Sequence, residues 1–198
     1  MNHELALRVA LIAEVVLMLP LMAYHRIKAH TNEKLDRRQE GLFILATLRP
    51  IGLVFVVGSI TYVVSPARMA WSSAPLPLWL RWSGAGVYVL SWALLFWTLR
   101  SLGTNLTDTV VTRREATLVT GGPYRWVRHP FYDSVALMAL ATSLIAANWF
   151  LLLSGWLAFA LMLIRARAEE ANLLARFGEP YRAYLNRTGL FLPRISGS

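Results

Sequence analysis

Two short stretches carry side chains fit for chemistry. Residues 121–132, GGPYRWVRHPFY, place Tyr124, Arg125, Arg128, His129 and Tyr132 directly before an apolar run. Residues 164–177, IRARAEEANLLARF, place Arg165, Glu169 and Glu170 directly after another. Pro130 suits the first turn of a helix, where its missing N–H costs nothing and its fixed φ helps the turn to start. Arg128 and His129 would then stand at the positive end of a helix dipole, beside unpaired N–H groups that suit an anion or a polar ligand. Arg165 and Glu169 are four residues apart, so they share a helix face about 40° apart, with Glu170 on a neighbouring face. Each cluster taken alone also reads as the charged, aromatic flank that anchors a membrane helix at the interface.

The elements that must position these side chains follow from hydropathy. Of 198 residues, 56% are hydrophobic and only 16% charged, against roughly 25% charged in a soluble domain. The mean hydropathy is +0.46. Five apolar segments of near-spanning length emerge, at residues 5–24, 42–64, 76–99, 131–147 and 149–164. The sequence predicts an all-α fold: a polytopic membrane helical bundle of about five transmembrane helices in one domain over 1–198, with a cytoplasmic tail from 165 to 198. Residues 1–24 lack a basic leader and a small-residue cleavage site, so the first apolar run is expected to stay as a span. Cysteine is absent, which excludes disulfides and thiolate chemistry. No metal site is expected. The net charge of +9 is assigned to topology and to anionic membrane lipid rather than to nucleic acid.

Basic residues sort among the loops. Arg26, Lys28, Lys34, Arg37 and Arg38 follow span one; Arg100, Arg113, Arg114, Arg125 and Arg128 follow span three; Arg165, Arg167, Arg176, Arg182, Arg187 and Arg194 fill the tail. The loop at 65–75 holds only Arg68, and the turn at Asn148 holds none. The positive-inside rule then puts the N-terminus outside and the C-terminus in the cytoplasm, as five spans require. Helix formers continue past the fifth span to a break at Gly178-Glu179-Pro180, and YRAYLNR reads as a further short helix with Tyr181, Tyr184 and Leu185 on one side. Lysine supplies only Lys28 and Lys34 among the 20 basic residues, the bias of a GC-rich bacterial genome, so a bacterial inner membrane is expected.

Because only Asn148 and its neighbours separate the last two spans, these form a tight helical hairpin. That hairpin brings Arg128, His129 and Tyr132 at the start of one helix near Arg165 and Glu169 at the end of the other, making a cytoplasmic pocket. Here LVTGGPYRWVRHPFY, followed by RARAEEANLLARFGEPYRAYLNRTGLFLP, resembles the isoprenylcysteine carboxyl methyltransferase family, within a wider group that includes phospholipid N-methyltransferases. The resemblance covers about residues 85–194.

The resemblance implies S-adenosylmethionine as cofactor, bound without a soluble nucleotide-binding domain. No G-x-G-x-G turn joins a strand to a helix in this chain, and Gly84-Ala85-Gly86 lies inside an apolar span. The implied cofactor contacts fall on Ala116, Thr117, Leu118 and Val119, on Tyr124 and Arg128, on His129, Pro130, Phe131 and Tyr132, and on Glu169 and Glu170. Ala116 stands where many members have a histidine, so a backbone contact survives there and a side-chain contact does not. Arg165 is the implied substrate-orienting arginine, able to hold an acceptor carboxylate bidentately, and with Glu169 it forms the implied catalytic pair. The implied acceptor is lipophilic or prenylated. An amine acceptor of phospholipid type, a membrane reductase and a non-catalytic binding protein are the alternatives.

Other charges lie inside apolar runs. Glu14 is an intramembrane carboxylate, expected to pair with Arg49 or Arg81. Arg49-Pro50 is read as a kink, and Asn105 and Asp108 as turn and capping residues. Reporter fusions at residues 30, 70, 115 and 148 should read inside, outside, inside and outside; an outside signal at 115 would overturn the cytoplasmic pocket.

Overall fold

The computed structural model describes residues 3–29, 42–105 and 117–194. Ala116, Asp108 and the basic residues at 34, 37, 38, 113 and 114 lie outside them. Among the described residues six α-helices follow in order: α1 (His3–Lys28), α2 (Leu42–Val64), α3 (Leu78–Leu102), α4 (Pro130–Ala146), α5 (Trp149–Phe177) and α6 (Glu179–Arg187). Among the described residues no β-sheet forms.

Helices α1, α3 and α5 run past the apolar segments that announced them. Their backbone bonds continue where side-chain polarity changes, since a helix satisfies its own N–H and C=O groups in lipid and in water alike. Residues 3–28, 46–64, 78–102 and 149–177 are each helical, long and apolar enough to cross a membrane. α4 is shorter: its 17 residues span about 25 Å at 1.5 Å per residue. It packs between α3 and α5, and its buried face includes Tyr132, Ser134, Ala141, Thr142 and Ile145. Val16, Leu17, Leu53, Val89 and Leu153 stand exposed around the bundle, more apolar surface than water tolerates. The chain is an integral, multi-pass membrane protein.

Tryptophans mark the two interfaces. Trp71 and Trp149 meet edge to face at 5.3 Å at one end, as do Trp97 and Trp126 at the other. Along α3, Trp79 and Trp97 lie about 27 Å apart, close to a hydrocarbon thickness of about 30 Å.

Close approach fixes how the helices meet. A Cβ on Gly84 of α3 would fall 2.9 Å from the Ala141 carbonyl oxygen of α4, so only glycine allows this contact. Lower down, Ser91 Oγ donates to the Ser134 carbonyl at 2.8 Å. The α4–α5 hairpin turns through Ala147 in the left-handed region. Asn148 caps α5 by accepting from Leu151 N at 3.1 Å, and its Nδ2 donates to Ser72 Oγ at 2.8 Å. Beside this turn lies the core of Leu7, Leu11, Tyr62, Met69, Ile145, Ala146 and Leu151.

The intramembrane charges pair differently from the expectation. Arg81 bonds Glu4, one of whose oxygens lies 3.0 Å from Nη2, and not Glu14. It also reaches Tyr62 Oη at 3.1 Å and donates through Nε to the Ile145 carbonyl at 3.0 Å. Arg8 likewise donates to the Val63 carbonyl at 2.9 Å. Both arginines thus satisfy carbonyls at helix C-termini, which have no partner within their own helix. Glu14 Oε2 is buried without a hydrogen-bond partner among the described residues, and Arg49 is exposed. Glu14 misses Arg81 because Glu4, ten residues earlier on α1, stands at the level where Arg81 leaves α3.

Arg81→Leu should lower the thermal midpoint in detergent by the equivalent of about 2–3 kcal/mol, since charge-assisted bonds to Glu4 and Ile145 disappear together. Glu14→Leu should raise it, by about 1–3 kcal/mol of relieved desolvation. A fall at Glu14→Leu would instead show that this carboxylate holds something in place.

Candidate active site

The motif divides into two faces. Arg125 and Trp126 point outward, the guanidinium 3.8 Å from the indole centroid, and make the interfacial anchor. Arg128, His129 and Tyr132 point inward: His129 and Tyr132 are buried and Arg128 is nearly so. Pro130 occupies the first turn of α4, as its fixed φ requires. Tyr132 N and Asp133 N both donate to the His129 carbonyl, at 2.9 and 3.2 Å.

From the other side comes the extension of α5, which runs unbroken from Trp149 to Phe177. It stops at Gly178, whose φ of +58° favours a residue without Cβ. Arg128 Nε donates to Glu170 Oε1 at 2.6 Å, and His129 Nε2 lies 3.2 Å from the same oxygen. Tyr132 Oη donates to Glu169 Oε2 at 2.7 Å, and His129 Nδ1 is 4.0 Å from it. The anions at the N-terminal end of α4 are therefore the chain's own two carboxylates, favourably placed for its dipole. Adjacent in sequence, Glu169 and Glu170 divide the partners between them. Arg165 stands one turn earlier on α5, half-buried.

The structure brings together Arg128, His129, Tyr132, Glu169 and Glu170. The His129 and Tyr132 rings stack at 5.2 Å and 17°, and Phe131 meets Tyr132 edge-on at 6.2 Å. Tyr124 is half-buried in a short 3-10 turn over Gly122–Arg125. Burial pushes its phenol well above the usual value, with the Glu169 carboxylate adding to the rise, so the hydroxyl keeps its proton. Thr117 is clipped by Asn105, whose Oδ1 accepts from Thr117 N at 2.9 Å and whose Nδ2 reaches Thr117 Oγ1 at 3.2 Å. Asn105 thus serves as the clip that fixes the start of the Thr117–Val119 segment. Leu118 and Val119 follow it, half-buried.

Sequence reasoning missed the strap that closes the site. After α6 the chain turns back along the motif: Gly189 N donates to Trp126 O at 3.2 Å, Arg128 N to Gly189 O at 2.9 Å, and His129 N to Leu190 O at 3.2 Å. Arg128 Nη1 also donates to the Thr188 carbonyl. Phe191 follows, its ring 5.7 Å from His129 and 5.5 Å from Phe159 of α5. The signal was present as GLFLP, an apolar stretch directly after a polar helix. Tyr181 and Tyr184 bury one face of α6, as its spacing indicated, and Tyr184 Oη donates to the Tyr124 carbonyl at 2.6 Å.

Comparison with known proteins fits this arrangement. The sequence profile of the isoprenylcysteine carboxyl methyltransferase (ICMT) family matches residues 84–175. A protein-S-isoprenylcysteine O-methyltransferase from Tribolium castaneum is 30% identical over 125 residues, covering 60% of this chain and 43% of that protein. A methanethiol S-methyltransferase from Mycobacterium tuberculosis is 36% identical over 70 residues, 35% of this chain and 28% of that protein. The solved structure of the eukaryotic intramembrane Ras methyltransferase ICMT superposes with a TM-score of 0.57 at 27% identity, covering 77% of this chain and 54% of that one. This chain spans about half the length of the relatives it matches or less. The resemblance read from the two motifs is borne out, and so is the helical membrane fold.

Arg128→Ala should destabilise by about 3–5 kcal/mol, because it leaves Glu170 as a largely buried carboxylate without its cation. The double variant with Glu170→Gln should lose clearly less than the sum of the two single losses, measured by thermal or denaturant unfolding in detergent. Additive losses would mean that the 2.6 Å contact carries no coupling.

Proposed function

We propose that this chain, matched over residues 84–175 by the isoprenylcysteine carboxyl methyltransferase family, is an S-adenosylmethionine-dependent membrane methyltransferase acting on the carboxylate of an isoprenylcysteine-like or other lipophilic acceptor. The observation that carries this reading is the convergence of Arg128, His129 and Tyr132 with Glu169 and Glu170 at the N-terminal end of α4. The orientation proposed with it puts the N-terminus outside and this site in the cytoplasm of a bacterial inner membrane. The methanethiol S-methyltransferase among the relatives supports methyl transfer as the shared chemistry while leaving room for other acceptors.

The donor set fits the cofactor. Two carboxylates offer acceptors for an amino group or ribose hydroxyls, and the aromatic faces of Tyr124, Phe131 and Tyr132 attract a cation. When bound, S-adenosylmethionine supplies a methyl group on a positively charged sulfur. Glu169, half-exposed while its Tyr132 partner is buried, is the carboxylate we assign to the cofactor. Glu170 is held by Arg128 and His129 and fixes the imidazole from behind. Pro130 shapes the turn, and we assign the neighbouring wall to the Thr117–Val119 backbone.

The acceptor needs little chemical help. A carboxylate with a pKa near 3.5 is already ionised at pH 7 and requires no general base. The protein's tasks are to orient it and to exclude water. Arg165 can do the first through a planar two-bond fork. The apolar half of α5 below Arg165 leads toward lipid, where the acceptor's tail would lie.

Calorimetry in detergent with S-adenosylhomocysteine should show binding to the parent chain and a loss of about tenfold or more in Glu169→Gln and His129→Ala, about 1.4 kcal/mol per tenfold. Arg165→Ala should bind nearly as the parent does and transfer no methyl. Arg165→Lys should recover only part of the turnover, because a point charge cannot reproduce the fork. If neither Glu169→Gln nor His129→Ala changes affinity, the cluster is a structural knot and not a cofactor site.

A further inference from the structure

Phe191 takes no part in the polar cluster, yet its ring closes the cluster on the side of the membrane. It is stacked on Tyr132 at 6.5 Å and 23°, tilted on His129 at 5.7 Å, and edge-on to Phe159 at 5.5 Å. Phe159 belongs to the apolar half of α5, about 9 Å below Arg165 toward the opposite face. The next residue, Leu192, is 79% exposed, while Phe191 is half-buried. One aromatic ring thus touches both the residues assigned to the cofactor and a side chain from the apolar half of α5.

The backbone, not the ring, holds the strap in place. Five bonds dock it: Gly189 N to Trp126 O, Arg128 N to both Gly189 O and Leu190 O, His129 N to Leu190 O, and Arg128 Nη1 to the Thr188 carbonyl. The Phe191 side chain can therefore be changed without removing what anchors the segment. Phe159, six residues before Arg165 on α5, stands between the depth of Arg165 and the apolar half of the helix.

We propose that Phe191, backed by Phe159, is the wall that sets which lipophilic tails reach the site. This rests on the acceptor class proposed above. The wall admits a tail by its girth and length, because an aromatic ring that cannot move aside without losing its stack on Tyr132 and its contact with His129 offers a fixed boundary. Phe191→Ala opens the boundary and Phe191→Trp advances it.

The test uses the full chain in detergent, with N-acetylated S-geranyl-, S-farnesyl- and S-geranylgeranyl-cysteine as acceptors. Turnover and acceptor-induced thermal stabilisation are measured for the parent, Phe191→Leu, Phe191→Ala and Phe191→Trp. Phe191→Ala should shift the ratio of kcat/KM toward the geranylgeranyl acceptor by about tenfold, and Phe191→Trp toward the geranyl one. Phe191→Leu should fall between parent and Ala, and S-adenosylhomocysteine affinity should stay near the parent's in all three variants. Equal loss on all three acceptors would overturn the wall and leave Phe191 a packing residue. If the parent methylates none of them, the acceptor reading fails, and stabilisation by the thioethers decides alone. Tail-length dependence that the variants shift supports the wall; its absence in the parent overturns it.

Discussion

The Arg128 guanidinium is where three separated stretches of chain become one site. Its Nε holds Glu170 of α5, and its Nη1 holds the carbonyls of Thr188 and, at 3.4 Å, Leu185 at the end of α6. Its own backbone N–H takes the strap carbonyl at Gly189. A lysine ammonium places its donors at a single point, whereas the planar guanidinium spans Glu170 on one side and the Thr188 carbonyl on the other. Glu170, neutralised in this way, orients His129, and with the α5 extension held against α4, Glu169 comes within reach of Tyr132. The order of dependence runs from a structural ion pair to the residues assigned to the cofactor.

At the opposite end, Arg81 plays a comparable part in a simpler setting. It ties α1 through Glu4, α2 through Tyr62 and α4 through the Ile145 carbonyl. Without water to satisfy a helix C-terminus near the hydrocarbon, an arginine from a neighbouring helix supplies the donors. Two arginines, one at each end of α4, thus hold a helix that at 17 residues is short for a membrane and lies between α3 and α5. The length that α4 lacks is made up by the motif turn before it and by the Asn148 hairpin after it.

The site's position follows from this economy. A short α4 sets its N-terminal end below the end of the long α5, and the difference is the extension that carries Arg165, Glu169 and Glu170. The strap and α6 return to cover the gap so formed. Burial there raises the Tyr124 and Tyr184 phenols above their usual value, so both stay neutral, and Tyr184 donates to the Tyr124 carbonyl.

Local physics made much of this legible in the sequence. Apolar segments announce spans because lipid demands about 20 apolar residues each. Pro130 and Gly178 mark a start and a stop because their allowed φ values do so in any context. The hairpin at Asn148 and the meeting of the two charged clusters follow from chain length alone. What needed the tertiary structure was the choice among partners. Arg81 takes Glu4 and not Glu14; Glu170 takes Arg128 and His129 while Glu169 takes Tyr132; Phe191 folds back onto the site. Each depends on the rotation and depth of one helix against another. Sequence spacing leaves these open, because they are set by contacts such as Gly84 against Ala141 between residues far apart in the chain.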